Sequence, residues 1–405
     1  MRTAPYFLDT YPRSRRPEYS RQKGEFKTTV VIVGGGLTGC ACAAAFATAG
    51  VRCVLLEAGR IGTGATAASA GLLRQDFDAS FQATVSRHGL RAARHLWQAI
   101  RRASLDFASA ARRFGIRADL APQDLLVFTR DGAAAGKRLA REYQTRREAG
   151  LDVSWLNARA LMREAAVAGD GALRIKGDAF DPYRACIGLA AAAAARGAII
   201  HERTTVRRVR PGRKSVEVRT ESGAITGESV IIATGGPIDD LRALRRHFRP
   251  HQTYALVSQP LPAGVRRLVG RHDAALRDSA APPHLLRWMK DDRLLFAGAD
   301  QDPVPARALD KTLVQRANQL MYELSTLYPA ISGLQPEWAW PLVHYGSPDG
   351  LPVIGPHRNF PRHLFALGHG RHGAGVAWLA ARLLLREFTG DPAKGDDLFG
   401  FSRIL

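Results

Sequence analysis

Gly34, Gly36 and Gly39 take the spacing G-x-G-x-x-G within "VVIVGGGLTGC", directly after an apolar run. That pattern suits a dinucleotide. The first glycine permits a tight turn, the second lets backbone approach a pyrophosphate, and the third lets the next helix pack close to the strand. The N-terminus of that helix, opened by Leu37 and Thr38, then faces the anion. Glu57 and Ala58 end the following strand, "VRCVLLEA", about 20 residues on. A carboxylate there accepts hydrogen bonds from a free ribose 2′-hydroxyl and disfavours a 2′-phosphate. This unit alone does not separate NAD from FAD.

Three later stretches narrow the choice. "GTGATAASAGLL" follows the acid and carries Thr66, Ala70, Gly71 and Leu72. It is small, hydroxyl-bearing and flexible, suited to wrapping a second phosphate and an isoalloxazine edge. "VIIATGGP" runs a strand into Thr234 and Gly235, where backbone can pass under an adenosine; Val206 is a further candidate contact. "LGHGRHGAG" places Gly370, His372 and Gly373 on a glycine turn before the last helix. The positive end of that helix can stabilise negative charge on a reduced flavin.

The elements that must hold these residues alternate. Thr29–Val33 reads as a strand, 37–49 as an alanine-rich helix, and "VRCVLLEA" as the second strand of a βαβ unit. Apolar spacing predicts helices over much of 81–165, with Gly115 as a stop, and again over 185–197, 308–328 and 376–388. Residues 250–300 are strand-like, and Asp291-Asp292 between apolar runs signals a hairpin. Helix–strand alternation at both ends implies a Rossmann-like parallel sheet with helices on its faces. The middle implies a second, mainly antiparallel sheet with flanking helices, and so an α/β (α+β) chain. The expected division is an arm over 1–27, a discontinuous cofactor domain over 28–78, 170–240 and 348–398, and a substrate domain over 79–169 and 241–347.

With 405 residues, two domains are expected. No apolar run reaches the ~18 residues that span a bilayer, and residues 1–30 lack a secretory signal, so the reading is cytoplasmic with no membrane partner. The four cysteines form no CxxC pair, and neither a disulfide framework nor a metal site is expected. The net charge of +21 raises nucleic acid as a partner, but the arginines are spread rather than blocked, which argues against it.

"VVIVGGGLTGCACAAAFATAGVRCVLLEAGRIGTGATAASAGLL", "DAFDPYR", "VIIATGGP", "SPDGLPVIGP" and "ALGHGRHGAGV" together resemble the FAD-dependent D-amino-acid oxidase superfamily, nearest the glycine/sarcosine oxidases and γ-glutamylputrescine oxidoreductases. The resemblance implies FAD and oxidation of an amine C–N bond: a hydride equivalent passes to flavin N5 and the resulting imine is hydrolysed. The chemistry is mostly the cofactor's. It also implies site residues. Arg371 matches a position near substrate, with a solvent-facing turn as the equal alternative. Arg287 matches a strand position that faces flavin, or else one face of a hairpin. Tyr254 lies on a strand that lines the substrate cavity, and His369 fits a family position. Trp338 and Trp340 read as core, and "DFDASF" as a solvated loop.

The departures are informative. Where relatives carry an Arg that clamps a carboxylate in a fork, this chain has His344, so α-amino-acid substrates are called into question. Leu342 stands where a flavin-tethering cysteine would, and the expectation is non-covalent FAD and a small-molecule amine substrate. A rival reading is a flavin subunit of a heteromeric amine dehydrogenase with partner chains. An FAD-dependent tRNA-modifying enzyme ranks below it, and an NAD-only dehydrogenase ranks low.

Overall fold

A computed structural model describes residues 1–371 and 373–404. It has the expected α/β architecture, with two main sheets. The first has six strands in the order Ile199–His201, Cys53–Leu56, Val30–Val33, Ser229–Gly235, Phe360–Leu367 and Val353–His357. All neighbours are parallel except the last pair. Val30–Val33 is apolar at every position and wholly buried, as a central parallel strand must be.

The alternation of this strand divides two cores. Val30 and Ile32 pack with the helices Leu37–Thr48, Pro182–Ala194 and Ala374–Thr389. Val31 and Val33 pack with Val209, Val218 and Ile225 of a four-stranded sheet on the opposite face. The three helices stack closely because their contact faces are mostly alanine and glycine. Asp181 caps the second by accepting from Arg184 N at 2.9 Å, with Pro182 in its first turn. Gly390, at φ +74°, ends the third.

The second sheet has eight strands in the order Pro336–Gly346, Arg249–Ser258, Leu294–Gln301, Leu285–Trp288, Ala274–Asp278, Asp124–Phe128, Gly171–Ile175 and Val153–Asn157. It is antiparallel save for the Ala274–Asp278 and Asp124–Phe128 pair. The expected hairpin at Asp291-Asp292 joins Leu285–Trp288 to Leu294–Gln301. Helix Leu309–Leu327 covers one face through Tyr254, Leu256, Phe296 and Leu320. The other face carries Ala255, Val257, Leu295 and Trp340 toward the first unit.

Two segments sit differently from the sequence reading. Gly171–Ile175, grouped above with the cofactor domain, pairs with Asp124–Phe128 and Val153–Asn157 in the eight-stranded sheet. Residues 1–27 are not a bare arm. Gly24–Lys27 adds to the four-stranded sheet, Phe7 is buried, and Tyr6 packs edge-on to Trp338 at 5.0 Å. No helix of the described residues is long and apolar enough to cross a membrane.

Candidate active site

The glycine run sits where the parallel strands end, and each glycine has a steric reason. Gly34 is at φ +108°, and a Cβ there would lie 2.7 Å from Ala233 O on the neighbouring strand. A Cβ on Gly39 would lie 1.8 Å from Gly34 O, so only glycine lets the helix approach its own strand. Gly36 faces Thr66, whose Oγ1 accepts from Leu37 N at 2.9 Å. Glu57 accepts from Gly35 N at 2.6 Å and Gly59 N at 2.7 Å. Burial pushes its carboxyl pKa up.

These groups line a cavity of about 700 Å³, the size range of cofactor sites. Of the sequence candidates, Gly34, Gly36, Leu37, Thr38, Glu57 and Ala58 line it. So do Thr66, from the short helix Ala65–Ala68, and Val206, Thr234 and Gly235 from later strands. Gly370, Gly373, Arg371 and His344 close its far end. Two helix N-termini, at Gly36–Leu37 and Gly373–Ala374, therefore point into one cavity, which favours an anionic ligand. Thr38 Oγ1 and His369 Nδ1 share a hydrogen bond at 3.2 Å across it. His372 lies outside the described residues. The cradle that a Cβ would fill, the paired carboxylate oxygens of Glu57 and the volume all fit FAD.

Other candidates lie elsewhere. Gly39 is beneath the cavity as a packing contact. Ala70, Gly71 and Leu72 line an adjoining pocket of about 40 Å³ that shares Ser69, Arg371 and Gly373 with the main cavity. Arg287 lines none of these cavities. Its Nη1 donates to Gly71 O at 2.8 Å and Phe180 O at 3.0 Å, and also to Ala70 O. Its guanidinium lies 5.5 Å from the Phe7 ring. Burial holds its pKa down at about 10. The pleat sends Arg287 to the face where the 70–71 backbone passes, so it ties that loop down. Tyr254 is fully buried on the opposite face, under helix Leu309–Leu327, with its hydroxyl 2.9 Å from Gln301 Nε2. Thr253 and Ala255 point the other way, so period-2 alternation removes Tyr254 from the cavity.

A second cavity, about 910 Å³, adjoins the first and shares His344, Gly370 and Arg371 with it. Strand register brings His251 opposite His344, and their rings stack at 5.6 Å. Thr253 Oγ1 and His344 Nε2 share a hydrogen bond at 3.0 Å. Burial, and then the charge of His344, lowers the His251 pKa. Arg371 turns its guanidinium to Asp300 and its backbone N–H to Asp78, 3.2 Å away. The far wall is a buried charge network. Arg74 bonds Asp76 at 2.9 Å and Asp78 at 3.0 Å, and Arg277 reaches Asp76 at 3.3 Å. "DFDASF" is therefore no solvated loop: two arginines from distant segments, Arg146 and Arg277, join the neighbouring Arg74 on it.

Asp300 is the residue that sequence reasoning missed. Leu295 and Ala297 face the cofactor side, and strict alternation would send Asp300 to the helix side. A bulge intervenes: the register shifts between Gln252 and Tyr254, Ala299 takes φ +54° and turns into the helix-side core. Asp300 then joins His344 in the cavity wall. The only signal was a glycine followed by acids, "FAGADQD", interrupting an apolar strand.

Comparison with known proteins agrees with this geometry. Over 373 residues the chain is 27% identical to γ-glutamylputrescine oxidoreductase of Escherichia coli (strain K12), covering 91% of this chain and 85% of that protein. It is 27% identical over 356 residues to glycine oxidase of Bacillus subtilis (strain 168), covering 85% of this chain and 88% of the other. The crystal structure of glycine oxidase from Geobacillus kaustophilus has the same fold, with a TM-score of 0.75 at 23% identity over 94% of this chain and 99% of that one. Residues 29–386 match the family described as DAO, FAD dependent oxidoreductase. With most of its length inside that match, the chain belongs to the DAO family of FAD-dependent oxidoreductases.

Proposed function

We propose that the protein holds FAD non-covalently in the cavity of about 700 Å³ and oxidises the C–N bond of a primary or secondary amine or amino acid in the adjoining one. The observation that carries this is the meeting of the two cavities at His344, Gly370 and Arg371. Bound FAD would supply the two-electron acceptor, itself reoxidised by O₂ or another acceptor. The chain's own part is binding and exclusion. Gly34 and Gly36 admit the pyrophosphate, the N-terminus of helix Leu37–Thr48 faces it, and Glu57 accepts from a ribose. Thr253 orients His344 at the junction, and the stacked His251, its pKa lowered by burial, adds a second ring to the wall. The relatives named for a glycine and for an acylated diamine support an amine or amino-acid substrate. None of the four cysteines lines the cofactor cavity, which supports a cofactor without a covalent tether. In this reading the six-stranded sheet and its cover form the cofactor domain, and the eight-stranded sheet forms the substrate domain.

The test is anaerobic mixing of the purified holoprotein with a panel of amines and amino acids. One of them bleaches the flavin absorbance, and acid denaturation then releases all the flavin. A bound flavin that no member bleaches would refute the activity, and colour retained in the precipitate would refute the non-covalent attachment.

A further inference from the structure

Arg371, the cation nearest the junction of the two cavities, is already engaged. Its guanidinium pairs with Asp300, and both side chains are largely buried, 22% and 9% exposed. One nitrogen of its fork, Nη2, is taken by Asp300, and the offset charges weaken its pull on a substrate carboxylate. His344 offers no fork, and its Nε2 is 3.9 Å from the same Asp300 carboxylate. The acid also has capacity left over. Asp300 lines the larger cavity; its Oδ2 takes Arg371, while Oδ1 is buried without a well-formed hydrogen bond among the described residues. Burial pushes the Asp300 carboxyl up, but His344 and the Arg371 charge pull harder, and its pKa lies below the usual range. An ionised oxygen buried without a donor is costly, and a ligand N–H is the group that relieves it.

We propose that Asp300 is the specificity-determining residue of this site: its carboxylate accepts from the N–H of an amine that carries no carboxylate beside the reacting carbon, and its pairing with Arg371 weakens the carboxylate clamp. This rests on the reading of the larger cavity as the substrate side of a flavin. Arg371 acts as a positioning residue that keeps Asp300 charged and aimed. α-Amino acids are then disfavoured twice, by the partly occupied guanidinium and by repulsion between their carboxylate and Asp300.

The test titrates the visible spectrum of the anaerobic holoprotein with n-butylamine, glycine and benzoate. For the wild type, n-butylamine perturbs or bleaches the flavin, while glycine and benzoate leave it unchanged at the same concentrations. Asp300→Asn weakens n-butylamine binding by about tenfold or more, since a charged acceptor is lost, and gains a benzoate-dependent shift as Arg371 is released. The wild-type arm alone is decisive if the variant does not fold. Glycine or benzoate perturbing wild-type flavin as tightly as n-butylamine overturns the proposal, as does n-butylamine without effect, or a variant that binds all three as the wild type does. Each of those results leaves the flavin bound and so spares the cofactor reading, whereas protein that takes up no flavin removes that reading and this proposal with it.

Discussion

The cofactor cradle and the proposed substrate cavity share a wall but are made of different material. The cradle is backbone. Its shape comes from glycines that leave no room for a Cβ, from amides at helix N-termini, and from one carboxylate held by the backbone N–H groups of Gly35 and Gly59. The substrate cavity is side chain. Its wall is Asp300, Arg371, His344, Arg277 and Asp78, drawn from segments far apart in sequence and fixed to one another by charge. A backbone site is specified by a few neighbouring residues and binds what many chains bind. A side-chain site is specified by tertiary pairing and can differ from relative to relative.

The sharpest way to break that contrast is at Gly39. A Cβ there would sit 1.8 Å from Gly34 O, which is backbone and cannot rotate away. Gly39→Val is expected to exceed the ~3 kcal/mol upper range of ordinary overpacking and to abolish flavin binding. Flavin absorbance per protein and thermal unfolding measure it. A Gly39→Val protein that binds FAD with wild-type affinity would show that the close strand–helix approach is not what forms the cradle.

Arg287 tests where the border lies. If it anchors the 70–71 loop through three carbonyls, Arg287→Met orphans buried acceptors and costs about 3 kcal/mol. The apoprotein should lose as much stability as the holoprotein. An apoprotein unfolding as before, beside a holoprotein whose flavin spectrum has moved, would return Arg287 to the cofactor.

The contrast also explains what could be read from the chain. Gly34, Gly36, Gly39 and Glu57 were legible because their neighbours in space are their neighbours in sequence, within one βαβ unit. Tyr254 misled because a bulky hydroxyl-bearing residue on the right strand still obeys the pleat, and its parity put it on the helix side. Asp300 was hidden by the opposite effect, a bulge that breaks parity at Ala299. His344 was noticed as a missing arginine, but its company with His251 and Thr253 depends on a register between strands some 90 residues apart, which no local pattern records. The "DFDASF" acids looked solvated because their arginine partners, Arg146 and Arg277, come from other elements.

The smallest expected effect separates the two regions by pH. His284 lies on the helix side of the eight-stranded sheet, 2.6 Å from Asp278 and 3.0 Å from Glu323 of helix Leu309–Leu327, its ring stacked on Phe296. Burial alone would lower its pKa, but the two carboxylates outweigh burial and raise it. The folded protein therefore holds this proton more tightly than the unfolded chain, whose histidines titrate near ~6.5. The stabilisation is complete below that value and is lost as pH rises through the higher folded value. Between about pH 6 and about pH 9, the wild-type melting temperature should fall more steeply than that of His284→Gln, with FAD affinity following the same pH dependence in both. Equal slopes would mean that the carboxylate pair does not hold the proton. A loss of FAD affinity in the wild type that His284→Gln does not share would mean that the backbone cradle and the ionised sheet are one unit after all, since a titration within the cradle itself would appear in both proteins.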